Sequence, residues 1–369
     1  MRAGPFSEPS AFPDQLPRSN RNAPLLALAF AAVALSCSGG AASAPGGSDY
    51  APEVFVPPAS LPALHVDGNR IANGDGTTVV LKGIALADPH QLDLDGHWDA
   101  EHFQQMKSWG AQVVRIPVHP KYWRKRGPAG YLALLDQGVT WAEERGMYVM
   151  LDWHGMGDPN AEVYETGQGA MFVTSRAETR SFWRIIATHY RNDPGVAFYE
   201  IFNENTNWMS DGTTTTTTWA QWKVLAESLV DIVRAQNAQA ICIVSGFKWA
   251  YDLSPVGADP VGREGIVYAV HPYSVKGTEA TWEADFGYLA ATYPVFATEF
   301  GFVANPADPV AYGTVAGYGK PITDFFATRG MSWTVWVFHP IWTPNLISDW
   351  SYTPAEPQGT FFRSLLLGE

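Results

Sequence analysis

The chain has 369 residues, of which 46% are hydrophobic and 17% are charged, a composition typical of a globular protein with a sizeable core. The formal net charge of -13 argues against nucleic acid or an anionic membrane as partner, because both would repel an acidic surface. The two cysteines, Cys37 and Cys242, are far apart in the sequence, so no disulfide framework is indicated.

The first residues resemble an export signal. Arg18 and Arg21 precede an apolar run at residues 25–35, which is too short to span a bilayer but suits the core of a secretory signal. Small residues lead into Cys37, and a tether rich in glycine, alanine and proline follows, as at a bacterial lipoprotein cleavage site. We therefore expect a leader over residues 1–37, a linker over residues 38–62, and export either as a freely secreted protein or with a lipid anchor at Cys37.

From residue 63 onward, strand and helix patterns alternate. A hairpin with a turn at residues 73–76 is expected to lead into a first core strand at residues 78–84. Further strands are predicted at residues 112–117, 147–154, 196–205, 240–245, 265–271, 294–299 and 331–336, with helices at residues 98–109, 131–145, 176–191, 219–235 and 281–292 and up to residue 329. This α/β pattern predicts a single (β/α)8 TIM barrel over residues 63–369, and we expect a monomer. A doubly wound sheet is the rival, but no glycine-rich phosphate turn follows the first strand.

Two of the predicted strands end in a glutamate. The apolar run at residues 196–205 reaches Glu204, and the run at residues 294–301 repeats the design with Glu299 and a glycine turn. A charge at the end of a buried strand is costly unless it is paired or used. Either each glutamate leaves the sheet for solvent, or the two carboxylates work together.

Other polar and aromatic side chains follow the same strand ends. Because the carboxyl ends of barrel strands meet at one face, these side chains are expected to converge there. Each has an ordinary structural explanation when taken alone, but their joint occurrence favours a functional site. The residues are Arg115, His119, Asp152, His154, Asn203, His271, Tyr273 and Trp336.

Hydrolysis of a glycosidic bond requires such a set of side chains. One carboxyl group must protonate the leaving oxygen while another meets the anomeric carbon, so the two need different pKa values. Arg115 beside one carboxylate would keep that group ionised. Tyr273 could donate a hydrogen bond to the same carboxylate, Asn203 could reach a sugar hydroxyl, and Trp336 could offer a flat face to the ring.

Two further interpretations concern the remaining acids and histidines. Glu200 and Asp152 share strand parity with Glu204 and His154, so we interpret them as hydrogen-bonded acids deeper in the barrel. A metal hydrolase would use His119, His154 and His271, but no His-x-His pair or glutamate-rich cluster supports it. We therefore expect no metal and no cofactor.

The ordered motifs resemble glycoside hydrolase family 5. They are Val-Val-Arg-Ile-Pro at Arg115, Leu-Asp-Trp-His at His154, Phe-Asn-Glu at Asn203 and Glu204, His-Pro-Tyr at His271 and Tyr273, Thr-Glu-Phe-Gly at Glu299, and Trp-Thr-Val-Trp at Trp336. The resemblance implies a retaining enzyme with Glu204 as acid/base, Glu299 as nucleophile, and their carboxyl groups about 5–5.5 Å apart. Asn205 departs from the family pattern, which usually has proline there, and Gly155 stands where many relatives carry a polar residue or a second histidine.

The substrate is expected to be a polysaccharide or oligosaccharide. Trp123, Trp208, Trp249 and Trp342 are candidate sugar platforms on the loops. An open, aromatic-rich cleft suits endo action, and the family's commonest activity is cleavage of β-1,4-glucan. A β-mannanase or an exo-acting β-glucanase stays open as an alternative, as does a surface glycan-binding protein without catalytic activity.

Overall fold

The structure is a computed structural model, and it describes residues 50–58 and 61–369. The expected leader, Cys37 and most of the linker lie outside the described residues. No helix in the described part of the chain combines the length and the apolar character needed to cross a membrane.

A small hairpin precedes the barrel. Strand β1 (Leu64–Asp67) pairs antiparallel with β2 (Arg70–Asn73), and Gly68 in the turn has a φ of 61°, a value that glycine adopts without steric cost. The expected turn at residues 73–76 is also present, and the Gly76 N–H donates to the Asn73 carbonyl oxygen across it at 2.9 Å. This turn returns the chain to an antiparallel bridge between Ala72 and Thr78. The first barrel strand, however, begins at Lys82 rather than at residue 78.

Eight parallel strands close into a barrel in chain order. The strands after the hairpin are β3 (Lys82–Ala85), β4 (Val113–Val118), β5 (Tyr148–Trp153), β6 (Met156–Asp158), β7 (Val163–Tyr164), β8 (Val196–Glu200), β9 (Glu204–Asn205), β10 (Ile241–Ser245), β11 (Ile266–Ala269), β12 (Val295–Ala297) and β13 (Ser332–Val335). The barrel contains β3, β4, β5, β8, β10, β11, β12 and β13, and β13 pairs with β3 to close it. The predicted (β/α)8 barrel is confirmed.

Helices surround the barrel. They are α1 (Pro89–Asp95), α2 (Ala100–Ser108), α3 (Pro120–Glu143), α4 (Gly167–Ala170), α5 (Arg176–His189), α6 (Trp219–Arg234), α7 (Phe247–Ala250), α8 (Glu279–Asp285), α9 (Lys320–Thr328) and α10 (Gln358–Leu367), with a 3₁₀ helix at Gly287–Ala291 and a π-helix at Val315–Gly319. The short segments α4 and α7 are single turns within loops, and both contain residues with left-handed backbone angles. Side-chain caps fix several starts; Thr218 and Gln221 form a reciprocal capping box on α6. Helix α3 starts earlier than expected and is kinked at Gly127, where φ is 69°.

The core has two layers. One apolar cluster fills the inside of the barrel towards the hairpin and includes Met150, Phe198, Ile243 and Phe296. The larger cluster lies between the strands and the helices. The strands are buried on both faces, as parallel barrel strands must be, so the opposite mouth is where polar side chains collect.

Candidate active site

Glu204 lies beyond the barrel strand that precedes it. The expected continuous strand over residues 196–205 is wrong: β8 ends at Glu200, and Glu204 begins the separate strand β9, which pairs with β6. The backbone N–H of Glu204 donates to the carbonyl oxygen of Gly155 at 3.1 Å. A Cβ on Gly155 would lie 2.6 Å from the ring of Phe202, so glycine lets these two segments approach closely.

Arg115 is the centre of the site's charge. It lies inside β4, fully buried. Its guanidinium donates to Glu200 Oε2 at 2.7 Å, Glu299 Oε2 at 2.9 Å and Asn203 Oδ1 at 2.7 Å, and Asp152 Oδ2 lies 3.0 Å away. Burial alone would lower the pKa of Arg115, but the three carboxylates raise it above its ordinary value. Arg115 is thus an internal cation shared by three acids.

Both oxygens of Glu299 have fixed partners. Glu299 follows β12 by two residues, and its Oε1 accepts a hydrogen bond from the Tyr273 hydroxyl at 2.8 Å, while Arg115 holds Oε2. Burial, followed by the charge of Glu299, raises the pKa of Tyr273, so its phenol stays a donor. These two contacts orient the carboxylate at the barrel mouth.

Glu204 has a different set of partners, both on one oxygen. His271 Nδ1 lies 2.9 Å and Lys276 Nζ 3.1 Å from Glu204 Oε1. Burial would raise the pKa of Glu204, but Lys276 and His271 together lower it to about 2. His271 Nε2 lies 2.9 Å from the Thr298 hydroxyl, which itself donates to Glu200 at 2.6 Å. Burial opposes protonation of His271, yet the surrounding glutamates raise its pKa, which suits an imidazolium donating from both nitrogens.

Glu204, His271 and Glu299 form a tight group, with one ligand atom of each within 4.8 Å of the others. Within the described ranges, it is the only such group of three or more histidine, cysteine or acidic side chains. Lys276 pairs with Glu204 and Arg115 pairs with Glu299, so the group is organised as ion pairs. The metal hydrolase interpretation would use His119 as a ligand, but His119 Nδ1 instead lies 2.9 Å from Asp88 Oδ2.

An aromatic wall borders the acids. The rings of His154 and Trp336 stack with 5.5 Å between centroids and 5° between planes, and Trp336 also stacks with Trp342 at 6.2 Å. Burial lowers the pKa of His154 well below its usual value, so a neutral imidazole contacts Asp152 at 2.5 Å. Trp336 is only 8% exposed and therefore offers a ligand a limited surface.

The four candidate sugar platforms differ in exposure. Trp208 is 62% exposed, and Trp249 and Trp342 are part-buried. The prediction that Trp123 is a sugar platform is wrong, because its side chain is 5% exposed and packs edge-on against Phe182 at 4.9 Å between ring centroids. A tryptophan enclosed in this way has no free face for a sugar.

Comparison with known proteins decides the family. The model for "Cellulase (glycosyl hydrolase family 5)" matches residues 73–340. The chain belongs to glycosyl hydrolase family 5. As a family 5 protein it is 39% identical to a β-glucanase from Saccharophagus degradans whose structure was solved in complex with cellotetraose; the match covers 87% of this chain and 98% of that one, with a TM-score of 0.81.

Endoglucanases are also similar to this family 5 chain. Endoglucanase A of Butyrivibrio fibrisolvens is 26% identical over 253 residues, which is 66% of this chain and 53% of that protein. Endoglucanase C of Evansella cellulosilytica is 26% identical over 358 residues, covering 84% of this chain and 42% of that protein. The chain spans about half the length of these endoglucanases.

Sequence reasoning missed two side chains that contact the acids of the site, Lys276 at Glu204 and Thr298 at Glu200. Lys276 lies in a loop that carries no periodic signal, and Thr298 immediately precedes Glu299 but looks like an ordinary strand residue. Asn205, which departs from the family pattern, is fully buried, and its amide atoms have no hydrogen-bond partner among the described residues.

Proposed function

We propose that this chain is a retaining, endo-acting β-1,4-glucan hydrolase that uses Glu204 and Glu299 in a double displacement. The observation that carries the proposal is the pair itself, with an oxygen of each carboxylate within 4.8 Å at the barrel mouth. That separation favours the ~5–5.5 Å spacing of retaining enzymes over the ~6.5–9.5 Å spacing of inverting ones, which leave room for a water molecule.

The partners of each carboxylate favour one assignment of roles. Glu299 accepts hydrogen bonds from Arg115 and Tyr273 on separate oxygens, which suits a nucleophile that must stay ionised and oriented. Asn203 accepts from Arg115 through Oδ1, so its amide nitrogen remains to donate to a sugar hydroxyl. Glu204 Oε2, which neither His271 nor Lys276 contacts, is the oxygen available to exchange a proton.

The reaction then follows in two balanced steps. In the first, Glu299 attacks the anomeric carbon, and the glycosidic oxygen leaves with the proton of Glu204. In the second, Glu204 takes a proton from water as that water attacks the same carbon and releases Glu299. The anomeric configuration is inverted twice and so retained.

Endo action on a glucan is supported by two observations. Trp249 and Trp342 lie on the loops after β10 and β13, the fifth and eighth barrel strands, so aromatic surfaces flank the acids from separate sides. Several similar proteins are named endoglucanases, and the S. degradans β-glucanase binds cellotetraose. Cleavage of internal bonds in an extended glucan is consistent with both. We further propose that the protein acts outside the cell on such polymers.

Reducing-sugar release from four polymers in parallel tests the proposal. We expect the full chain to cleave carboxymethyl cellulose and barley glucan with a rapid fall in viscosity, and laminarin more slowly. Release confined to glucomannan would indicate a mannanase, and release without a fall in viscosity would indicate exo action. Binding without release from any polymer would indicate a glycan-binding protein.

Two matched variants test the roles within the same assay. Glu299→Gln should abolish hydrolysis of glucans and of activated aryl glycosides alike, because no covalent intermediate can form. Glu204→Gln should impair glucans far more than activated aryl glycosides, since only poor leaving groups need the acid. Equal losses on both substrates for the two variants would contradict the assignment.

A further inference from the structure

Lys276 makes specific contacts that a minimal pair of carboxylates does not require. Its ammonium lies 3.1 Å from Glu204 Oε1 and 2.6 Å from the carbonyl oxygen of Trp249. The Tyr273 ring centroid is 5.5 Å away. The side chain is 14% exposed, so this cation is localised beside Glu204 rather than solvated.

The Trp249 carbonyl belongs to an unusual turn. Lys248, Trp249 and Ala250 have φ values of 56°, 54° and 58°, in the left-handed region, which is strained for a residue with a side chain. Such strained backbone persists only where surrounding contacts hold it, and it clusters at functional sites. Lys276 supplies one such contact, and it thereby connects the loop after β10 to Glu204.

The two cationic partners of Glu204 contact the same carboxylate oxygen. His271 and Lys276 both contact Oε1, and neither contacts Oε2. The other groups facing this carboxylate are Glu299 within 4.8 Å and His154, whose ring feels the Glu204 charge. Two positively charged partners on one oxygen favour the ionised form over the protonated form.

We propose that Lys276 is a positioning residue that holds Glu204 as a carboxylate and so favours the step in which Glu204 acts as base over the step in which it acts as acid. This inference rests on the proposed double displacement. In the first step Glu204 must carry a proton, and in the second it must accept one. Lys276 therefore speeds the attack of water on the covalent intermediate and restricts the first step to lower pH.

The pH profile of kcat/KM is the direct readout. Its basic limb reports the free protein's essential acid losing a proton, and Lys276 lowers the pKa of Glu204 against the opposing effect of burial. Removing the positive charge should raise that pKa, so the basic limb should move to higher pH. An opposite charge in contact typically shifts a carboxyl pKa by ~1–3 units, so we expect a shift of about one pH unit or more.

Four variants separate charge from simple loss of structure. Lys276→Met and Lys276→Gln should both move the basic limb on barley glucan upward, although glutamine can still donate to the Trp249 carbonyl. Lys276→Arg should leave the limb in place. Lys320→Met removes an exposed lysine paired with Asp324 on α9 and should also leave it in place. On activated aryl glycosides, where release of the intermediate limits the rate, Lys276→Met should lower kcat.

The outcomes are distinguishable. If the unmodified protein hydrolyses glucan but Lys276→Met and Lys276→Gln show an unmoved basic limb, the inference is overturned and the proposed function stands. If the unmodified protein hydrolyses none of the polymers, the proposed function fails first. If Lys276→Met unfolds, as judged by thermal denaturation, Lys276→Gln alone decides.

Discussion

Arg115 balances the charge of three of the acids in the site. It is fully buried and contacts Asp152, Glu200 and Glu299. Arg115→Met should leave these acids without their shared counter-charge and reduce the free energy of unfolding by about 3–5 kcal/mol, because an uncompensated buried charge is left behind. Urea unfolding measures this loss, and hydrolysis of barley glucan should fall with it.

A surface arginine provides the control. Arg124 pairs with Glu178, and its side chain is 45% exposed, so Arg124→Met should cost less than about 1 kcal/mol and leave hydrolysis unchanged. If Arg115→Met proved as stable and as active as Arg124→Met, the charge balance described for the site would be wrong.

Among single residues, those at strand ends were predictable and those in loops were not. Arg115, Glu204 and Glu299 follow apolar runs, and a charge in that context signals a partner or a use. Lys276 reaches Glu204 from a loop, and the course of a loop cannot be predicted from hydrophobic periodicity. Trp123 was misjudged because Gly127 and Pro128 resemble a loop, whereas Trp123 belongs to the first turns of α3, on its buried side.

The pairing of β9 with β6 is the element that positions Glu204. Its closest approach depends on Gly155, where an added Cβ would meet the Phe202 ring at 2.6 Å. Gly155→Ala should push β9 away and displace Glu204, and a misplacement of about 1 Å can reduce catalysis ~100-fold. We expect kcat/KM on barley glucan to fall by at least ~10-fold while the protein stays folded.

Gly130 is the matched control. A Cβ there meets only Arg126 Cβ, at 3.7 Å, inside helix α3. Gly130→Ala should therefore leave kcat/KM unchanged and stabilise the protein by roughly 0.5–1 kcal/mol, as alanine does in a helix interior. Equal kcat/KM for the two alanine variants would mean that β9 does not position Glu204.

At the level of elements, the barrel could be predicted but the end of its fourth strand could not. Ile201 and Phe202 extend the apolar run beyond Glu200, which imitates a longer strand. In the structure they pack outside the barrel, where the Ile201 carbonyl accepts from Trp183 Nε1 at 2.9 Å and the Phe202 ring packs on Trp222. Hydrophobicity reports burial, and it does not distinguish a strand from an equally buried crossing segment.

At the scale of the whole molecule, one barrel brings together residues that are far apart in sequence. Arg115 and Glu299 are separated by 184 positions, yet they form a direct hydrogen bond. The alternation of strands and helices predicted this convergence, because parallel barrel strands place their carboxyl ends at one face. The choice of glycan was not predictable, since it depends on loop surfaces. The leader at residues 1–37, the linker, export and the monomeric state remain predictions.

The anomeric configuration of the first product tests the central proposal most directly. Proton NMR of a cellooligosaccharide digest, recorded before mutarotation proceeds, distinguishes the α from the β anomer at the newly formed reducing end. A double displacement through Glu299 predicts that the β anomer forms first. Initial formation of the α anomer would contradict both the nucleophilic role of Glu299 and the retaining mechanism.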